Sequence, residues 1–175
     1  MEAFLLSIHV LAGIVFVGGS AVATSLFPRY APVAAGVPVG PATGAGPAGS
    51  PSGAPRAPEA LATPEVSEER NRAVAVALHR ITRVYGVFGI VVPVVGIVLA
   101  LVQGRMGEGW IFVSIALTGL AGGLLALRIY PEQRDALAAP DDGRRLRALS
   151  MVAGIYNLLW AVVVVLMIVR PGAYP

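Results

Sequence analysis

LLSIHVLAGIVFVGG, residues 5–19, decides what kind of protein this is. Fourteen of its fifteen residues are uncharged and mostly apolar, and the remaining one is His9. The apolar run extends from about Ala3 to Phe27. A helix needs ~20 such residues to cross a ~30 Å hydrocarbon core, so this run reads as a membrane span. Three more runs of similar length follow, at about Val84–Val102, Trp110–Ile129 and Leu149–Val169. The chain of 175 residues is 56% hydrophobic and only 13% charged, with a mean hydropathy of +0.75. Its charged fraction is about half that of an ordinary soluble domain. The expected fold is a single all-α domain over residues 1–175, a polytopic membrane four-helix bundle. The first run is read as a retained span because Glu2 stands where a secretory leader carries basic residues, and because the run exceeds the usual leader length.

The net charge of +3 comes from thirteen arginines and no lysine. Eleven arginines fall in or at the edge of two connections: Arg29, Arg56, Arg70, Arg72, Arg80 and Arg83, then Arg134, Arg144, Arg145 and Arg147, with Arg128 at the edge of the second. Only Arg105 and Arg170 lie elsewhere. Basic residues favour the cytoplasmic side, so both long connections are expected in the cytoplasm and both termini outside a bacterial cytoplasmic (inner) membrane. Charge placed at the ends of apolar runs fits the lipid bilayer as partner, and no nucleic acid is expected. With no cysteine, disulfides, thiolate metal sites and iron–sulfur clusters are excluded.

The first connection has two parts. Residues 31–64 are rich in Pro, Gly and Ala and nearly uncharged, too poor in large apolar groups to offset the entropy of ordering, so a disordered cytoplasmic loop is expected. TPEVSEER, residues 63–70, then carries helix-start signals. At 100° per residue, Arg72, His79 and Arg83 share one face of the ensuing helix, opposite Val74, Leu78, Ile81 and Tyr85. That pattern predicts an amphipathic cytoplasmic helix with its basic face at the membrane interface.

His9 is the one ionisable group deep in a span. Its face carries Gly13, Phe16, Ser20 and Thr24, whereas Leu11, Ile14 and Val22 lie opposite. The small and polar stripe should face other helices. A histidine so placed is a candidate for an interhelical hydrogen bond, a cofactor or metal ligand, or a proton-transfer group. Asn157 and Trp160 on the fourth span, Ser114 and Thr118 on the third, and Met167 are expected near its depth, which makes Asn157 and Trp160 candidate co-ligands. His79 should lie ~20 Å or more away, so the two histidines cannot share one metal in a monomer. Pro93, within YGVFGIVVPVVG at 85–96, predicts a kink. GLAGG at 119–123 places Gly119 and Gly123 at a spacing that permits close helix approach, a candidate homo-oligomer contact. No nucleotide-binding or metalloprotease pattern occurs, and no catalytic residue stands out.

SIHVLAGIVFVGG with LFPRY at the first span, and VVVVLMIVRPG at the last, resemble the corresponding ends of a family of bacterial predicted integral membrane proteins of uncharacterised function. That family shares its layout with the copper-resistance D-like proteins and the HemJ-type protoporphyrinogen oxidases. The resemblance covers all four spans by layout and the two ends by motif. It implies a four-helix membrane bundle, with His9 at the position of a first-helix histidine implicated in haem or porphyrin chemistry. Haem through His9 is thus the implied cofactor, but the lysine on which the oxidases depend has no counterpart here. The function expected is that of an accessory or structural membrane protein. The alternatives are a haem- or porphyrin-linked redox protein using His9, and a small metal or solute permease.

Overall fold

The computed structural model describes residues 2–34 and 64–172. Residues 35–63 lie outside them, and with them most of the loop expected to be disordered; of its ends, Ala31 is buried, Ala34 N–H bonds the Asp141 carbonyl, and Pro64 opens a helix. The described residues are helical and contain no strand. Four stretches are long and apolar enough to cross a membrane. The first is helix α1, Glu2–Tyr30. The second is α2, Pro64–Phe88, continued after a break by α3, Val91–Val102. The third is α4, Gly109–Ala138, and the fourth α5, Arg144–Val169.

All four outrun the apolar stretches that predicted them toward the end that carries the long connections, the first by only three residues. The second span begins on its amphipathic lead-in, as TPEVSEER predicted, and α4 continues past Ile129 through YPEQRDALA. At 1.5 Å per residue the 30 residues of α4 extend ~45 Å, beyond a ~30 Å core. Pro131 lies inside this helix and cannot donate to the carbonyl four residues back. The turn before it, Leu125–Ile129, is widened to a π-helix, which absorbs the misfit. Pro93 acts more severely. Its ring opposes the carbonyl of Gly89, and the second span breaks there: Ile90 N–H bonds the Val87 carbonyl and Val92 N–H the Gly89 carbonyl.

The two ends of the bundle pack differently. Near the long connections, the second half of α1 lies against α2 and α5, and the polar end of α4 covers α2. Phe27, Ala75, Leu78, Ile129, Leu149 and Tyr156 belong to one buried cluster there. Near the termini, the first half of α1 packs on α3, and α4 packs on α5. A small cluster of Ala100, Trp110 and Ile111, with Met106 and Met167 against it, joins α3, α4 and α5. Most large apolar side chains elsewhere on the spans are exposed, as lipid-facing surfaces require.

Candidate functional site

His9 faces inward with the stripe it heads. Ser20 and Thr24 are buried, and Leu11, Ile14 and Val22 are exposed. The imidazole reaches α3, where Nδ1–H donates to the Val92 carbonyl at 3.1 Å. The ring also occupies the space that a side chain at position 96 would take: a Cβ on Gly96 would stand 2.8 Å from His9 Cε1. His9, Val92 and Gly96 therefore form a latch between the first span and the part of the second span beyond its break.

The two expected co-ligands, Asn157 and Trp160, are not beside His9. Asn157 donates from Nδ2 to Ser25 Oγ at 2.8 Å. Ser25 lies sixteen residues along α1 from His9, ~24 Å at 1.5 Å per residue, so Asn157 is at the wrong depth to share a ligand with it. The expected register slid because Tyr156 pairs with Ser20, which draws this part of α5 toward the connection end. Trp160 stacks edge-on with Tyr156, with ring centroids 6.3 Å apart, and belongs to the centre of the bundle. Ser114 is buried and donates to the Trp110 carbonyl, while Met167 packs in the terminal cluster.

His79 also differs from its expected place. Arg72 and Arg83 are exposed, but His79 is half-buried between α2 and the end of α4. Its Nδ1–H donates to Gln133 Oε1 at 3.2 Å, and its ring stacks on Tyr130 at 4.8 Å. The reason is the length of α4. With the third span expected to stop at Ile129, nothing was there to cover that side of α2. His79 pairs thirteen residues before Val92 on the second span, so the two histidines are ~20 Å apart along it, in line with the expected separation.

Between these levels lies a feature the sequence did not disclose. A cavity of about 90 Å³ sits between the four spans. Its wall includes Ser20, Tyr85, Pro93, Thr118, Tyr156 and Trp160. Two irregularities border it: the break in the second span, and a π-helical turn at Gly13–Val17 of α1. Ser20 Oγ–H donates to the Val17 carbonyl at 3.0 Å. Tyr156 Oη–H must then donate to Ser20 Oγ, at 2.7 Å, which leaves the Tyr156 oxygen with a free lone pair. The Trp160 indole N–H is buried beside the Tyr156 oxygen and makes no hydrogen bond of ordinary length. Pro93 was the only signal for this site, because a cavity between helices needs the relative register of all four.

At the end bearing the termini, Glu108 accepts hydrogen bonds from Arg105 Nε at 2.6 Å and from the Trp110 indole. The Arg105 bond foremost, and then the Trp110 bond, hold its carboxyl below the usual range. Gly119 and Gly123 have nothing within 4 Å of a built Cβ, so neither is used in packing within the bundle. Among the described residues no three His, Cys, Asp or Glu side chains group as metal ligands. No family model, curated protein or solved structure matches the chain.

Proposed function

We propose that this is an accessory or structural integral membrane protein of the bacterial cytoplasmic membrane, with both termini outside and both long connections in the cytoplasm. The observation that carries the reading is the state of His9. The one strongly functional-looking residue of the spans spends Nδ1–H on a backbone carbonyl and packs its ring over a glycine. Those are the duties of a residue that joins helices. The arginine bias supports the orientation, since eleven of thirteen fall in or at the edge of the two long connections. Gly119 and Gly123, free on α4, support self-association through that helix.

A second reading has one observation in its favour. With its proton on Nδ1 and bonded to a carbonyl, His9 presents Nε2 as the lone-pair nitrogen, the arrangement usual for a metal-bound imidazole. The cavity between the spans speaks against a haem, however: it is about 90 Å³, against ~300–1,000 Å³ for pockets holding drug-sized ligands, and His9 is not in its wall. A haem on His9 would have to lie between two copies of the chain.

The test is an absorption spectrum of protein produced with haem precursor and purified in mild detergent, beside His9→Ala. The accessory reading expects no Soret band in either sample. It also expects native gels of the producing membranes to show a complex that disappears on deletion. A near-stoichiometric Soret band lost in His9→Ala would overturn it and make His9 a ligand.

A further inference from the structure

We propose that the cavity between the four spans is a binding site for a small uncharged molecule that both donates and accepts hydrogen bonds, with water as its resting occupant. The size sets the scale. At ~30 Å³ per water, about 90 Å³ holds about three waters or a solute of that bulk. The wall excludes charge, because no Asp, Glu, Arg or His lines it. An ion there would be desolvated with no counter-charge.

The polar atoms define the ligand more closely. Trp160 Nε1 can only donate, and it is buried beside the Tyr156 oxygen without a hydrogen bond of ordinary length, so a bridging molecule can accept from it. A buried donor left unmade costs about 1–3 kcal/mol. Tyr156 has spent its proton on Ser20, and Ser20 its own on Val17, so Tyr156 Oη is left to accept. A ligand that accepts from Trp160 and donates to Tyr156 satisfies both, as water, an alcohol or a primary amide does. The broken span adds acceptors. In an unbroken helix the Gly86 carbonyl would take the Ile90 N–H, but that group bonds Val87 instead. Gly86 is part of the cavity wall. Helices broken at membrane depth expose backbone to polar ligands in this way, and irregular backbone there is tolerated where it lines a cavity.

The test uses the full chain in lipid nanodiscs and trifluoroacetamide, a small neutral amide with a fluorine reporter. Fluorine NMR line broadening is followed against probe concentration, with plain acetamide as competitor. The expected result is saturable broadening that acetamide reverses. Tyr156→Phe, which keeps the ring and removes only the hydroxyl, should weaken binding roughly three- to tenfold, as should Trp160→Phe. Circular dichroism melts identify a variant that has failed to fold, and Tyr156→Phe carries the test if Trp160→Phe does. Broadening that never saturates, or that is equal in Tyr156→Phe, would mean partition into lipid and overturn the proposal. Competition by 1,1,1-trifluoroethane as strong as that by acetamide would also overturn it, by showing a cavity that reads bulk alone.

Discussion

Phe27 and His9 lie on the same helix, eighteen residues or ~27 Å apart, and are held by different physics. Phe27 is fully buried in a cluster fed by α1, α2, α4 and α5. Much of that cluster sits on helix extensions that outrun the hydrocarbon, where burial removes apolar surface from water. His9 sits where helices are surrounded by lipid as apolar as their own side chains, so burial gives no such drive. There α1 is joined to α3 by a close approach at Gly96 and one hydrogen bond, and the small cluster around Trp110 ties α3, α4 and α5. The connection end should therefore be the stable unit and the terminal end the adjustable one. The cavity lies between them.

If that contrast is right, the largest effect comes from Phe27. Phe27→Ala should destabilise by about 3–5 kcal/mol, the usual loss for a fully buried aromatic, read from denaturant unfolding in detergent followed by circular dichroism. A change below ~1 kcal/mol would mean that the buried cluster does not hold the bundle. The crossing of α1 and α2 comes next. A Cβ at Gly19 would run into the Tyr85 ring, so Gly19→Val should cost about 1–3 kcal/mol by overpacking. Tyr85→Ala added to Gly19→Val should recover part of that loss. No recovery would show that the strain lies elsewhere.

The latch should give a smaller effect. His9→Ala is expected to cost about 0.6 kcal/mol, the measured average for hydrogen bonds between membrane helices, and no more than about 1.7. Gly96→Ala should cost a similar amount in the native chain, because the new methyl displaces the imidazole, and almost nothing once His9 is alanine. That non-additivity, read as a double-mutant cycle, identifies the contact. Additive losses would mean that His9 and Gly96 act separately.

How much of this was legible in the sequence follows from the same contrast. The spans were readable because each apolar run is as long as the bilayer is thick. The inward stripe of α1 was readable because helical periodicity needs no knowledge of neighbours, and Ser20 and Thr24 are indeed buried. What needed a second helix was not readable. Asn157 was expected near His9 because four ideal spans were aligned by depth alone, and the Ser20–Tyr156 bond sets a different register. His79 was expected on an open basic face because the polar run YPEQRDALA gives no apolar signal of a helix, yet it folds against α2 and supplies Tyr130 and Gln133. Pro93 marked the break, but not the cavity behind it.

The smallest effect concerns the turn between α4 and α5, where the connection end is tied together. Asp141 accepts from the Gly143 N–H at 2.9 Å and the Arg145 N–H at 3.0 Å, and its own carbonyl takes the Ala34 N–H at 2.9 Å. Desolvation pushes its carboxyl up, but the bonds from Arg145 and Gly143, with the Arg145 charge, outweigh this and hold it below the ordinary value of 3.8. A carboxyl held lower in the folded state binds its proton more weakly there than in the unfolded chain. Its contribution to stability is therefore complete above the ordinary aspartate value and is lost as pH falls through the lowered one. Thermal melts should show the native protein losing stability across that acid window, and Asp141→Asn losing less. Glu108 is held low in the same sense at the other end, so its loss should remain in the variant and shift Trp110 fluorescence at similar pH. If Asp141→Asn leaves the acid dependence of melting unchanged, the turn does not contribute to holding the connection end. The contrast between the two ends would then rest on the buried cluster alone.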